Sequence, residues 1–294
     1  MEYLSNTFEW GLLIIIVFST FLVAIVAVYS KAWSIAGSGV SITLPWAIGF
    51  NVLLVIGGII AIFFLFVVNY AVLAMAWFFG ILGVALCINE LLYLIKINFL
   101  RKSILTLKNF QFRVIEAISL IVGVGVVVGW WMSDRNWIVN DIVAIFMIVA
   151  GIKFFKFTSL RYAIICFCLT ITVEMVFVLL IRFFINASYN VALLNEFNNP
   201  FELQAPTINP VYNQKCSWLP ITALIYPGCL MAYLRRFDTS RNTAVYMLTS
   251  VVCFFLGALL WMFVSIASAD SWPFGLIAEP ANLALVAFFA WKRK

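Results

Sequence analysis

Residues 44–92 read LPWAIGFNVLLVIGGIIAIFFLFVVNYAVLAMAWFFGILGVALCINELL, with Glu90 as the one charged side chain. As a single helix this stretch would be about 73 Å long, more than twice the ~30 Å hydrocarbon core of a bilayer. It therefore predicts two membrane-spanning helices joined by a break near Asn69. The rest of the chain repeats the pattern. Apolar runs occupy Gly11–Tyr29, Leu44–Val68, Tyr70–Leu92, Ile115–Met132, Trp137–Ile152, Tyr162–Phe184, Trp218–Leu234, Val245–Ala267 and Phe274–Trp291. The expectation is an all-α polytopic membrane protein with nine transmembrane helices in one membrane domain over residues 1–294. Spans one to six would lie in 1–184, an extracytosolic loop in 185–217 and spans seven to nine in 218–294.

Composition agrees with lipid as the main solvent. Of 294 residues 65% are hydrophobic and 10% charged, against roughly 45–50% and about 25% in soluble proteins. The net charge of +6 reads as topology rather than a nucleic-acid patch. With the N-terminus outside, 15 of the 18 basic residues fall on cytosolic segments, leaving Arg135, Arg182 and Lys215 on the other side. A wrong span count would invert every later loop and destroy this skew. Glu2 and Glu9 stand where a cleavable signal would be basic, so Gly11–Tyr29 is read as the first span.

Several chemistries are excluded. Histidine is absent, which removes imidazole bases, serine triads and histidine zinc sites together. The six cysteines form no CxxC pair, so no metal site and no cofactor are expected. Asn186-Ala-Ser188 is a glycosylation sequon lying almost at the membrane surface. Gly125-Val-Val-Val-Gly129 fits the small-xxx-small pattern of close helix contact.

A carboxyl at mid-span is the default functional candidate, because hydrocarbon tolerates its charge poorly. Glu174 is 13 residues after Arg161 and 8 before Arg182, well inside the sixth span. It reads either as a catalytic or ion-binding acid or as a buried structural hydrogen-bonding group. Glu90, Glu116, Asp141 and Asp238 read as helix-end or interfacial charges. Glu279, beside Pro280 and inside the last span, is retained as a further acid.

From about Asn69 onward the chain resembles the signal peptide peptidases, intramembrane aspartyl proteases of the presenilin fold. The resemblance rests on NYAVLAMAWFFGILGVALCINELL (Asn69–Leu92), NWIVNDI (Asn136–Ile142), FNNPFELQAP (Phe197–Pro206) and above all IYPGCLMAYLRRFD (Ile225–Asp238). It implies nine spans, a lumenal N-terminus, a cytosolic C-terminus, an endoplasmic reticulum or other endomembrane location, and client transmembrane helices or signal peptides as partners beside membrane lipid.

The departures from the family pattern fall on its reactive residues. The Tyr-Asp of the family's sixth span corresponds to Val173-Glu174, so one carboxyl is kept with an extra methylene. The Gly-x-Gly-Asp of the seventh corresponds to Pro220-Ile221-Thr222-Ala223, so the second catalytic acid is replaced by Ala223. The Pro-Ala-Leu before the ninth corresponds to Pro273-Phe274-Gly275. An aspartyl protease needs two neighbouring carboxyls sharing one proton. Asp238 lies about 22 Å along the same helix from Ala223, and Glu279 is expected to need an arrangement unlike the family's to reach Glu174. The favoured reading is a catalytically inactive homologue that binds or scaffolds transmembrane helices. An active divergent protease using Glu174 with another acid, beginning with Glu279, is the alternative, and an ion-coupled transporter the third.

Overall fold

The computed structural model describes residues 10–29, 40–43, 65–95, 97–107, 110–133, 136–185, 201–206, 216–268 and 274–292, with short pieces between 45 and 56. Eight long helices are present among them: α1 (Trp10–Tyr29), α2 (Leu65–Leu94), α3 (Val114–Met132), α4 (Trp137–Phe154), α5 (Leu160–Ile185), α6 (Thr222–Arg241), α7 (Val245–Ser268) and α8 (Phe274–Lys292). Five of these, within α1, α2, α3, α4 and α7, are long and apolar enough to cross a membrane by length and composition. The expected second span falls largely outside the described residues.

A helix with apolar residues on both faces is stable only where its outer face also meets a nonaqueous phase. In α7 one stripe, Ser250, Phe254, Ala258 and Trp261, is buried in the bundle. The opposite stripe, Leu248, Val252, Leu256, Leu260 and Phe263, points outward. Lipid is the solvent that suits the second stripe.

Three pairs of short strands interrupt the all-α expectation. β1 (Val40–Ile42) pairs in parallel with β4 (Phe155–Phe157), β2 (Ser103–Leu107) antiparallel with β3 (Phe110–Arg113), and β5 (Glu202–Pro206) antiparallel with β6 (Cys216–Pro220). The last pair corrects the loop expected over 185–217 and the helix expected from Trp218. A short apolar run such as Trp218-Leu219-Pro220 suits a strand as well as a helix, and Pro220 terminates β6 so that α6 starts at Thr222. The break expected near Asn69 is absent, since α2 runs through it from Leu65; asparagine lowers helix propensity only modestly.

Close contacts fall on different glycines from those expected. Gly125 and Gly129 face open space, whereas a Cβ at Gly123 would lie 2.7 Å from the Ile81 carbonyl oxygen of α2. The Gly125–Gly129 spacing selects a face, and α3 presents the other one.

The acids near helix ends have structural partners. The Glu116 carboxylate accepts the Arg113 N–H at 3.0 Å, and Glu90 forms an ion pair with Lys153. Asp238 is fully buried, which corrects its reading as an interfacial charge. Its carboxylate accepts Thr243 Oγ1–H at 2.7 Å, Met247 N–H at 2.8 Å and Tyr246 N–H at 3.4 Å. These are donors from the linker and the first turn of α7, which have no intrahelical acceptor. Asn242 adopts the left-handed conformation at the end of α6, and Asp238 ties that turn to the start of α7.

Candidate functional site

The site is built where α5, α6 and α8 meet. α5 and α6 run antiparallel. Near the start of α5, Arg236 Nη2–H donates to the Phe157 carbonyl at 3.4 Å. Ten residues further along α5, the Phe167 ring lies 6.1 Å from Tyr226, ten residues back along α6. The Tyr226 and Thr170 hydroxyls are hydrogen-bonded to each other, and Thr170 Oγ1–H donates to the Cys166 carbonyl at 3.0 Å.

One helical turn beyond Thr170 is Glu174, and one turn back from Tyr226 is Ala223. Residues three or four apart share a helix face, so Glu174 and Ala223 stand at the same level on the facing sides of α5 and α6. Ala223 is 5% exposed. On this register the α6 residue nearest the level of Glu174 is an alanine, with no carboxyl of its own.

The third wall is the start of α8. Phe274 is buried and its ring lies 5.8 Å from Phe254 and 5.2 Å from Trp261, which fixes the first turn of α8 against α7. Gly257 permits this approach, because a Cβ there would lie 2.8 Å from the Ala278 carbonyl oxygen. So anchored, Gly275 meets the Glu174 carboxyl directly. Its N–H is directed at that group, and a Cβ at Gly275 would lie 2.6 Å from Glu174 Oε2. A side chain at this position would push the Glu174 carboxyl aside. Pro273 lies outside the described residues.

Glu279 is one turn further along α8 on the face of Gly275. Helical side chains lean toward the N-terminus of their helix, which inclines Glu279 back toward Glu174. It is 2% exposed and within electrostatic reach of Glu174, Cys166 and Tyr226. The sequence implies that Glu279 needs an arrangement unlike the family's to reach Glu174, and α8 brings the two acids within electrostatic reach of each other. The physical reason is that α8 docks its first turn on the Glu174 carboxyl, bringing the next turn of the same face alongside. Oε2 of Glu174 and Oε2 of Glu279 are both enclosed without a hydrogen-bond partner.

Tyr226, Thr170 and Asn282 were not singled out in the sequence. Asn282 is fully buried on the same face of α8, and its Oδ1 accepts Ser250 Oγ–H of α7 at 2.8 Å. Gly275, Glu279 and Asn282 recur at intervals of four and three, the signal that would have exposed a polar stripe on the last helix.

Outside the spans, β5 packs over the start of α4. Asn140 Nδ2–H donates to the Glu202 carbonyl at 2.9 Å, and Gln204 N–H donates to Asp141 Oδ1 at 2.7 Å. The Ile221 N–H donates to the Phe201 carbonyl at 2.8 Å, which couples this hairpin to the residue preceding α6. The Glu202 side chain is 5% exposed, and burial raises its carboxyl from 4.5 to about 8.

Comparison with known proteins places these residues in a family. The signal peptide peptidase family model matches residues 40–294. Signal peptide peptidase-like 2A of Mus musculus is 26% identical over 204 residues, covering 64% of this chain and 38% of that protein. The Homo sapiens protein of the same name is 26% identical over 205 residues, covering 64% and 39%. The matched region thus spans about two fifths of the length of these curated relatives. No solved structure matches.

Proposed function

Because the chain belongs to the signal peptide peptidase family, we propose that it receives the transmembrane helices or signal peptides of client proteins in the crevice between α5, α6 and α8, and that it lacks the family's own pair of acids. In this reading it is one nine-span membrane domain in the endoplasmic reticulum or another endomembrane, with a lumenal N-terminus and a cytosolic C-terminus. The observation that carries the proposal is Ala223, buried on α6 at the level of Glu174. A methyl group can neither activate water nor protonate a leaving group, so the reaction of the family's dyad cannot run through this position. What remains is a site lined by Glu174, Glu279, Tyr226 and the close-packed Gly275, suited to holding an apolar helix whose backbone has been locally exposed.

The test is site-directed photocrosslinking in membranes. A crosslinker placed at position 223 should capture a single-span client peptide, and an unlabelled signal peptide should compete it away. The same crosslinker at Leu248 or Leu256, on the outward face of α7, should capture the peptide no better than it captures lipid. Equal capture at all three positions would count against a client crevice.

A second reading, cleavage of the held peptide, is favoured by one observation: Glu279 approaches Glu174 from α8. The transporter reading has no such support.

A further inference from the structure

We propose that Glu279 is the second acid of this site, forming with Glu174 a pair of membrane-buried carboxyls that holds one proton between them and acts on a peptide bond placed beside Glu174. The geometry is that of two acids contributed by two helices. Gly275 holds the start of α8 against the Glu174 carboxyl, and Glu279 follows one turn later on the same face. Both carboxyls keep an enclosed oxygen without a partner. Glu279 is 2% exposed. Two like charges within electrostatic reach of each other in a low-dielectric setting repel, and one proton shared between them removes the repulsion.

The titratable and polar groups around the pair favour this state. α5 contributes Cys166 and Thr170, and α6 contributes Tyr226 and Cys229. On α8 Asn282 lies three residues beyond Glu279, and it is bonded to Ser250 of α7. Among the described residues none of these groups is cationic, and a shared proton is a counter-charge that suits the pair.

The inference rests on the reading that the crevice receives a peptide. Given a bound peptide and a water, the ionised carboxyl takes a proton from the water, whose oxygen adds to the peptide carbonyl carbon. The protonated carboxyl gives its proton to the carbonyl oxygen, producing a gem-diol with the pair still holding one proton. Cleavage of the carbon–nitrogen bond, with a proton passing to nitrogen, then yields an acid and an amine. The position lost at Ala223 on α6 is thus replaced from α8, one helix away.

Two measurements on the full chain in lipid bilayers test it. Infrared titration of the carboxylic acid band should show Glu174 and Glu279 deprotonating in two separated steps. Glu279→Gln should leave a single step for Glu174, displaced from both. An unchanged Glu174 titration in Glu279→Gln overturns the pair. In parallel, a single-span peptide is followed for crosslinking at position 223 and for cleavage. Cleavage should fall about 100-fold or more in Glu174→Gln and in Glu279→Gln, with crosslinking retained. Crosslinking without cleavage by the unmodified chain overturns the hydrolytic role. Absence of crosslinking overturns the client crevice instead, while the infrared titration still decides whether the two carboxyls are paired.

Discussion

Raising the pH should loosen the β5–β6 hairpin from the start of α4, and the Glu202 carboxyl should be the cause. This carboxyl titrates at about 8 in the folded hairpin against an ordinary 4.5, because burial disfavours its charge. Between those two values the docked hairpin holds a proton that the undocked hairpin has released. Docking is therefore strongest below about 4.5 and weakens as pH rises, with no further change above about 8. Each pH unit in this window removes about 1.4 kcal/mol, so the full climb removes up to roughly 5 kcal/mol. That exceeds the value of a typical hydrogen bond, about 1 kcal/mol, and so rivals the Asn140–Glu202 and Gln204–Asp141 contacts together. The assay is hydrogen exchange at the Leu203 and Ile221 amides, corrected for the intrinsic dependence of exchange on pH. Protection should decline from about pH 5 to about pH 8. Glu202→Gln should show a clearly shallower decline, since a buried amide neither gains nor loses charge and Asp141 is the one carboxyl left in this contact among the described residues. Equal decline in the two proteins would refute the reasoning and move the titrating group elsewhere.

Asp238→Ala should lower the unfolding free energy in detergent by about 2–4 kcal/mol, because the first turn of α7 and Thr243 lose a buried acceptor; thermal unfolding within 0.5 kcal/mol of the unmodified chain, roughly the effect of an ordinary surface change, would deny it that role. Gly123→Leu should destabilise the α2–α3 contact, where a Cβ would lie 2.7 Å from a carbonyl oxygen, while Gly129→Leu should change thermal stability little. The reverse order would return the contact to the Gly125–Gly129 face. For topology, cysteine labelling should place Lys108 and Lys294 on the cytosolic side and Glu196 on the lumenal side, as the division of basic residues requires. Labelling of positions 196 and 294 from one side would overturn the span count.

The long helices were legible because their signal is local. An apolar run needs no partner to announce itself, and the ends of α1, α3, α4, α5, α7 and α8 fall within two residues of the runs read from sequence. The misreadings arose where two structures share one composition. Trp218-Leu-Pro220 is apolar enough to open a helix, yet it belongs to β6, whose partner Glu202–Pro206 is distant in the chain. The Gly125–Gly129 spacing is a pattern frequent in spans and carries little weight, since only the neighbouring helix decides which face is used. Asp238 was correctly placed at a helix end, while its burial depends on the turn at Asn242 folding α7 back over it.

The same distinction governs the candidate site. Glu174 and Ala223 were found because each occupies a fixed offset from a motif within its own helix. Their facing arrangement follows from the antiparallel course of α5 and α6. Glu279 is legible as a second acid of the last helix, but the count of residues from Pro273 does not give its separation from Glu174. In a bundle the relevant coordinate is the helix face, not the count of residues. Gly275, Glu279 and Asn282 occupy one face, and once a Cβ-free turn sets Gly275 against the Glu174 carboxyl, the next polar residue on that face has to approach the same acid. In the proposed reading the alanine on α6 and the acid on α8 belong to a single crevice, and a test that replaces Glu279 alone separates a site that only holds a peptide from one that also acts on it.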